Sequence, residues 1–344
     1  MVSRSQERAT LESVAQAVGV SKATVSKALN GRSGVSEATR RRVLEAIREL
    51  DYAPTTRPAS GFGPRPSIVA LFDTLANLYA LRMLDALIAR AQSQHFEVVP
   101  LVTSPLHPGP GRLLEPERVR DLHRLGHLGL LAVTTHLPQD VLQVCAELTF
   151  PVLAIDPIDA LDPSVASVGS NNWSGGFQAT EHLLSLGHRR IGFVGGESGH
   201  AGLRERRAGY RAALEAASIG DDPKLVSEDG MAVVVEPVLR MLQLSDPPTA
   251  FFASSDLAAM LAIRELVRLG CRVPEDVSVV GYDDTYAPLP TPTLLTTVHT
   301  PIIEVGRLAF DTLVRMSEGV PPVANHVQLS TSLTVRESTA PPTP

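Results

Sequence analysis

The sequence predicts two unlike bodies in one chain: a small all-α helix-turn-helix head, residues 1–52, and a larger α/β module of two lobes with two parallel sheets, residues 67–337. Three observations predict it. The first fifty residues carry helical apolar spacing, broken twice by glycine-containing turns. Residues 53–66 hold four prolines and two glycines. From residue 67 onward, β-rich runs alternate with helical ones in two successive series.

In the head, Thr10 is placed to N-cap a helix whose apolar residues Leu11, Val14, Ala15 and Val18 recur at i, i+3, i+4 and i+7, and Gly19 stops it. Ser21 caps a second helix that buries Val25, Ala28 and Leu29 and ends at Asn30 and Gly31. Ser36 caps a third carrying Val43, Ile47 and Leu50. Helices joined only through Gly19 and Val20 must cross steeply, the geometry that holds a second helix out for a major groove. Charge agrees. The chain is −6 overall, but residues 1–58 hold ten Lys/Arg against six Asp/Glu, +4, which leaves −10 for the remainder. Screening limits each charge to about 8 Å at physiological salt, so a basic head is drawn to phosphates independently of an acidic body.

The prolines of residues 53–66 deny that stretch a regular hydrogen-bonded element, and it reads as a linker or hinge. The first series then places strands at 68–72, 98–102, 128–133 and 152–155, with helices at 79–94, 116–125 and 139–148 between them. The second places strands at 165–168, 190–194, 250–253 and 277–282, with helices at 173–186, 203–217 and 257–269. An extended stretch at 298–305, a helix at 306–317 and a last strand at 327–335 follow, and the tail, 338–344, reads as loose. Lobe one is expected over 67–164 and 299–322, lobe two over 165–298 and 323–337.

No apolar run approaches the roughly 18 to 20 residues that span a bilayer, and residues 1–10 lack the apolar stretch of a signal peptide, so a cytoplasmic protein is expected. Cys145 and Cys271 lie far apart, in neither a CxxC nor a Cys/His spacing, and read as reduced core residues. His182 and His188 flank Gly187 and read as structural rather than as metal ligands. The stretch GGESGHAG, residues 195–202, follows a strand and opens a helix, but fits neither the dinucleotide fingerprint nor the P-loop. With no nucleophile elbow or metalloprotease motif either, no catalytic residue, cofactor or metal site is expected, and the chain does not read as an enzyme.

Ligands of open parallel sheets bind beyond the carboxyl ends of the strands. Those positions are polar here: Asp73 and Thr74, then Asp156, then Ser170 and Asn171, then Ser254, Ser255 and Asp256, then Asp283 and Asp284. Carboxylates and hydroxyls converging on one cleft suit a neutral polyhydroxyl ligand, and Asp73, Asp156 and Asp283 are the leading candidates. The competing role is to cap the following helix, which is the reading for Asp256 and Ser174.

At this point the motifs meet a known family. The head, TLESVAQAVGVSKATVSKALNGRSGVSEATRRRVLEAIRELDYAP, resembles the lactose-repressor (LacI/GalR) family of bacterial regulators along its whole DNA-binding domain. The body agrees at HLLSLGHRRIGFVGG, ERRAGYRAAL, PTAFFASSD, RVPEDVSVVGYDD and LLTTVHTP, in the family's order and spacing. The resemblance implies a homodimer on double-stranded operator DNA, a body like that of periplasmic sugar-binding proteins, and an effector between the lobes that alters operator affinity.

By position, the resemblance places Lys22, Ala23 and Lys27 at base edges, Ser21, Thr24 and Ser26 nearer phosphates, and Thr10, Leu11 and Asn30 in the same DNA-binding set. The helical wheel agrees, since positions 22, 23, 26, 27 and 30 oppose Val25, Ala28 and Leu29. Of only three lysines in the chain, against 28 arginines, two are Lys22 and Lys27. Lys27 stands where the family usually has arginine, which exchanges a bidentate guanine contact for a single-point one. The family's hinge helix and its minor-groove leucine meet Pro58 and Gly61 here, leaving Phe62 as the candidate wedge.

For the effector, the resemblance implies Arg206 bridging two hydroxyls with Asp283 as its partner, Asp73 in lobe one, and Asp156, Ser170, Ser255, His200 and Thr300 as further contacts. Trp173, the only tryptophan, either stacks on a sugar ring or simply packs. The SVGSNNWSGG segment and the arginine- and proline-rich usage resemble regulators of plant-polysaccharide sugar use, so the expected effector is a pentose or short oligosaccharide such as xylose. The alternatives are a transport-type sugar-binding protein, disfavoured by the head, and a sugar-metabolising enzyme of doubly wound fold.

Overall fold

The computed structural model describes residues 11–29, 35–49, 65–103, 114–159, 161–195, 201–227, 233–285 and 293–343. The chain divides into two compact units, Met1–Arg65 and Pro66–Pro344.

The head contains α1 (Leu11–Val18), α2 (Lys22–Leu29) and α3 (Glu37–Glu49). Gly19 ends α1 at φ +70°, a conformation other residues adopt only with strain, and two bonds close the turn: Gly19 N to Gln16 O at 3.2 Å and Val20 N to Ala15 O at 3.0 Å. Ser21 and Ser36 cap as expected, their hydroxyls accepting from the amides of Thr24 at 3.1 Å and Thr39 at 3.2 Å. Val14, Ala15, Val18, Val25, Ala28, Val43 and Ala46 form the small core. Arg42 of α3 donates to Val18 O at 2.9 Å, satisfying a carbonyl at the end of α1.

The body runs β1 (Ser67–Phe72), α4 (Leu78–Ser93), β2 (Glu97–Val102), α5 (Pro116–Arg124), β3 (Leu130–Val133), α6 (Gln139–Glu147), β4 (Val152–Ile155) and β5 (Ala166–Ser170). It continues with α7 (Asn172–Ser185), β6 (Ile191–Val194), α8 (Ala201–Ala216), a 3-10 turn (Pro223–Leu225), α9 (Val235–Leu242), β7 (Ala250–Ala253), α10 (Asp256–Arg268) and β8 (Ser278–Asp283). The last elements are β9 (Thr296–His299), α11 (Ile302–Ser317), β10 (His326–Leu329) and β11 (Ser332–Thr334). One sheet has the order β10-β5-β4-β3-β1-β2 and is parallel throughout. The other has the order β11-β9-β8-β7-β6, parallel except for the antiparallel β11.

Three expectations about the lobes need correction. β5 does not open the second lobe: it pairs with β4, Leu153 opposite Ala166, and buries Ala166 and Val168 in the first lobe's core. The single strand expected at 327–335 is two strands in different sheets, β10 beside β5 and β11 beside β9, so residues 326–329 belong to lobe one. Alternation shows that a segment is extended but not which distant strand it pairs with. The helix expected from 306 begins at Ile302. The chain therefore passes between the sheets at Asn171, at Thr300 and Pro301, and at Ser330 and Thr331.

The tail is not loose. Ser338 is fully buried; its carbonyl accepts from Val279 N at 2.8 Å and its hydroxyl accepts from Thr296 N at 2.8 Å. His182 and His188 hold the same segment, through Thr339 Oγ1 at 3.0 Å and Ala340 O at 2.9 Å, which gives both histidines a structural role. Cys145 is buried as expected, whereas Cys271 is only partly buried against the second lobe's core.

Candidate functional site

Two surfaces carry the sequence-predicted residues, one in each unit. On the head, Ser21, Lys22, Ala23 and Lys27 are exposed and Thr24 and Ser26 half-buried, while Val25 and Ala28 are buried, so the outer face of α2 is the one the wheel indicates. Lys22 Nζ pairs with Glu12 Oε2 of α1 at 2.9 Å, a partner the apolar periodicity did not reveal. Thr10, Asn30 and Phe62 lie outside the described residues, as does the side chain of Leu11.

In the body, Asp156 and Asp283, at the carboxyl ends of strands in different sheets, lie within electrostatic reach of each other and of Arg206. Asp156 follows β4 at φ 42° and Asp283 ends β8 at φ 100°, left-handed backbone where side-chain-bearing residues are strained and functional sites concentrate. Asp156 accepts from the Tyr79 hydroxyl of α4 and from Ser170 N at 2.9 Å. Burial raises its pKa, opposed by the hydrogen bonds from Tyr79 and Ser170 and by Arg206.

From the second lobe, α8 delivers Arg206. Its Nε donates to Asn172 Oδ1 at 2.8 Å and its Nη1 to Ser254 O at 2.5 Å; Nη2 lies 3.2 Å from Asp283 Oδ1, and Cζ sits 3.6 Å over the Tyr282 ring. Desolvation also raises the pKa of Asp283, with Arg206 opposing and Asp156 adding to the shift. The depth of Arg206 depends on glycines: a Cβ on Gly176 would lie 2.1 Å from Arg206 O, and one on Gly209 2.1 Å from Trp173 O, so α7 and α8 touch backbone to backbone. This explains the SGG and AGY motifs. Two hydrogen bonds bridge the lobes directly, Ala201 N to Ile158 O at 2.7 Å and Arg82 Nη2 to Thr285 O at 2.9 Å.

A half-open cavity of about 580 Å³ adjoins this cluster, lined by Asp156, Ser170, Asn172, Glu205, His326 and Gln328. Asp73 stands at the end of β1, accepting from Thr74 N at 2.6 Å, with its pKa raised by burial. Thr300 is buried at a crossing between the sheets, and its hydroxyl has no hydrogen-bond partner among the described residues.

The structure does not bring every candidate to the cleft. Ser255, expected as an effector contact, instead caps α10 by accepting from Ala258 N at 3.1 Å. Asp256, expected to be that cap, is buried and accepts from Thr285 N at 2.6 Å and Thr297 Oγ1 at 2.5 Å. Likewise Asn171, not Ser174, caps α7. Trp173 is 46% exposed and stacks on Phe177 at 5.4 Å, which is packing along α7. His200 lies outside the described residues. Tyr79 and Asn172 were missed because their contacts to Asp156 and to Arg206 join residues distant in sequence.

Known proteins are similar to this chain in sequence and fold. Residues 10–55 match the family described as bacterial regulatory proteins, lacI family, and residues 180–339 match the periplasmic binding protein-like domain. The HTH-type transcriptional regulator CelR of Thermobifida fusca is 35% identical over 97% of this chain and 99% of its own length. The HTH-type transcriptional repressor PurR of Aliivibrio salmonicida is 30% identical over 89% of this chain and 91% of its own. Among solved structures, a CelR–cellobiose complex covers 96% of this chain and 100% of its own at 33% identity, with a TM-score of 0.69. A lac repressor dimer bound to operator and the anti-inducer ONPF covers 97% and 100% at 28% identity, also with a TM-score of 0.69. Among the described residues, no helix is long and apolar enough to cross a membrane. With its helix-turn-helix head, its two-sheet body and relatives matched nearly end to end, the chain belongs to the lacI family of bacterial transcriptional regulators.

Proposed function

We propose that the chain is a cytoplasmic homodimeric repressor whose affinity for double-stranded operator DNA is set by a small sugar held between the lobes of the body. One observation carries the sugar reading. Asp156 of lobe one and Asp283 of lobe two are both desolvated; the Arg206 guanidinium pairs with Asp283 and reaches Asp156 only through its field. Two carboxylates brought together around one cation need further hydrogen-bond donors, and sugar hydroxyls supply them without adding charge. Asp73, Asp156, Ser170, Arg206, Asp283 and Thr300 would contact the effector, with Asn172 and Glu205 added. On the head, Lys22, Ala23 and Lys27 would face base edges, with Ser21, Thr24 and Ser26 toward phosphates.

The cavity of about 580 Å³ beside the cluster has room for more than one ring, and the CelR relative is known with cellobiose. Both favour a short plant-derived oligosaccharide over a pentose such as xylose.

The test is a mobility shift with DNA from upstream of the chain's own gene, with and without cellobiose, xylobiose and xylose, beside thermal unfolding in the same sugars. The reading expects a specific shift released by one disaccharide. That sugar at 100 times its dissociation constant would stabilise the body by about 2.7 kcal/mol. Unfolding curves unmoved by a broad set of mono- and disaccharides would overturn sugar control.

A further inference from the structure

α2 begins with a lysine, the wrong sign for a helix N-terminus, where aligned peptide dipoles place about half a positive charge and favour an acid. Lys22 therefore does not serve its own helix, whereas Lys27, in the last turn, does. Opposite Lys22 stands Glu12 of α1, 2.9 Å away, with the two side chains 56% and 60% exposed. An ion pair this open contributes little to stability. The adjacent exposed position, Ala23, has only a methyl group.

An ammonium and a carboxylate one hydrogen-bond length apart match the major-groove edge of a base pair. In G·C, guanine presents O6 and N7 as acceptors and cytosine presents the N4 amino group as a donor. O6 and N4 are themselves hydrogen-bonded, about 2.9 Å apart. G·C thus offers three matching groups to the Lys–Glu pair, whereas in A·T adenine offers N7 and N6 and thymine then turns an unmatched O4 and a methyl group toward it. A lysine alone, with a flexible stem and a point charge, accepts almost any acceptor, phosphate included.

We infer that Glu12 and Lys22 read one G·C pair of the operator jointly, Lys22 donating to guanine and Glu12 accepting from the cytosine amino group. Glu12 is then a specificity-determining residue that also aims the lysine. The inference rests on the DNA-binding role of the head and adds to it a reader outside α2.

Selection of binding sites from a random duplex library, with the full-length protein and its Glu12→Gln, Glu12→Asp and Lys22→Ala variants, tests it. The wild-type chain should demand G·C at one position of each half-site. Glu12→Gln should lose about tenfold of the discrimination at that position alone. Lys22→Ala should relax the same position, a variant combining Glu12→Gln with Lys22→Ala should lose no more than Lys22→Ala, and Glu12→Asp should restore the preference. Thermal unfolding of Glu12→Gln like that of the wild type would separate this from loss of the head's fold. Unchanged base preferences in Glu12→Gln would overturn the inference. So would an affinity that rises evenly over all sequences with a steeper salt dependence, the behaviour of a carboxylate that merely repels phosphate.

Discussion

Arg206 Nη2 lies 3.2 Å from Asp283 Oδ1, with the two side chains only 11% and 10% exposed. The guanidinium is also held by Asn172 and by the carbonyl of Ser254, so it is the strut of the second lobe's half of the cleft. Arg206→Ala would leave Asp283 buried without its cation. Breaking such a pair from one side costs about 3–5 kcal/mol. Urea unfolding of Arg206→Ala should show a loss of that order, and sugar-dependent DNA release should vanish. Asp283→Asn, which keeps the shape, should abolish release with a smaller loss of stability.

The Tyr79 hydroxyl donates to Asp156 Oδ2 from within lobe one. Tyr79→Phe removes one donor from a desolvated carboxylate, at about 1–3 kcal/mol for the unmatched group. Calorimetric titration with the responding sugar should show weaker binding, while operator affinity without sugar stays as in the wild type.

Gly176 is the point where α7 meets the backbone of α8, and an added Cβ would sit 2.1 Å from Arg206 O. Gly176→Ala must push the helices apart and carry Arg206 with them. Overpacking of this kind costs about 1–3 kcal/mol or more. The expected signature is a lower melting temperature of the body and loss of sugar response, with the head's DNA binding retained.

Asp256 is buried at the base of α10, and burial, followed by the nearby Asp283, pushes its pKa up from 3.8 to about 7. A carboxyl whose pKa is raised on folding stays protonated in the folded state while the unfolded chain ionises. Its contribution is therefore fully present below pH 3.8 and is lost as pH rises to about 7. Unfolding free energies measured from pH 5 to 8 should fall toward pH 7 and then level. Asp256→Asn should flatten that fall; an unaltered slope in this variant would count against the assignment.

Ser21 caps α2 through Thr24 N. Ser21→Ala should destabilise the head by about 1 kcal/mol and weaken operator binding, with no change in sugar affinity. Chemical denaturation followed in the head, beside sugar titration of the same variant, separates the two effects.

Much of this was legible from local signals. The caps at Ser21 and Ser36, the stop at Gly19, the buried Val14, Val18 and Val25 and most strand cores follow from period and cap chemistry, which act over a few residues. Asp156, Asp283 and Arg206, which lie near one another, were legible as candidates because ligands of parallel sheets bind beyond the strand ends and because their motifs resemble the family's. Ser255 took the cap expected of Asp256 because either of two adjacent polar residues before a helix can cap it, and only the backbone angle at Ser255 decides. Tyr79 gave no signal at all, since an aromatic residue at the start of a helix reads as ordinary packing.

The amino-acid order by itself determined the two-body plan, the exposed side of α2 and the carboxylates at the strand ends, because these depend on periodicities of two and 3.6 residues and on turn chemistry. Only the tertiary structure decided that β5 and β10 share a sheet, that residues 338–340 are sealed against β8, and that Glu12 faces Lys22. Each of these joins residues whose separation along the chain carries no local pattern. Which partner wins is a matter of shape, burial and charge across the whole fold.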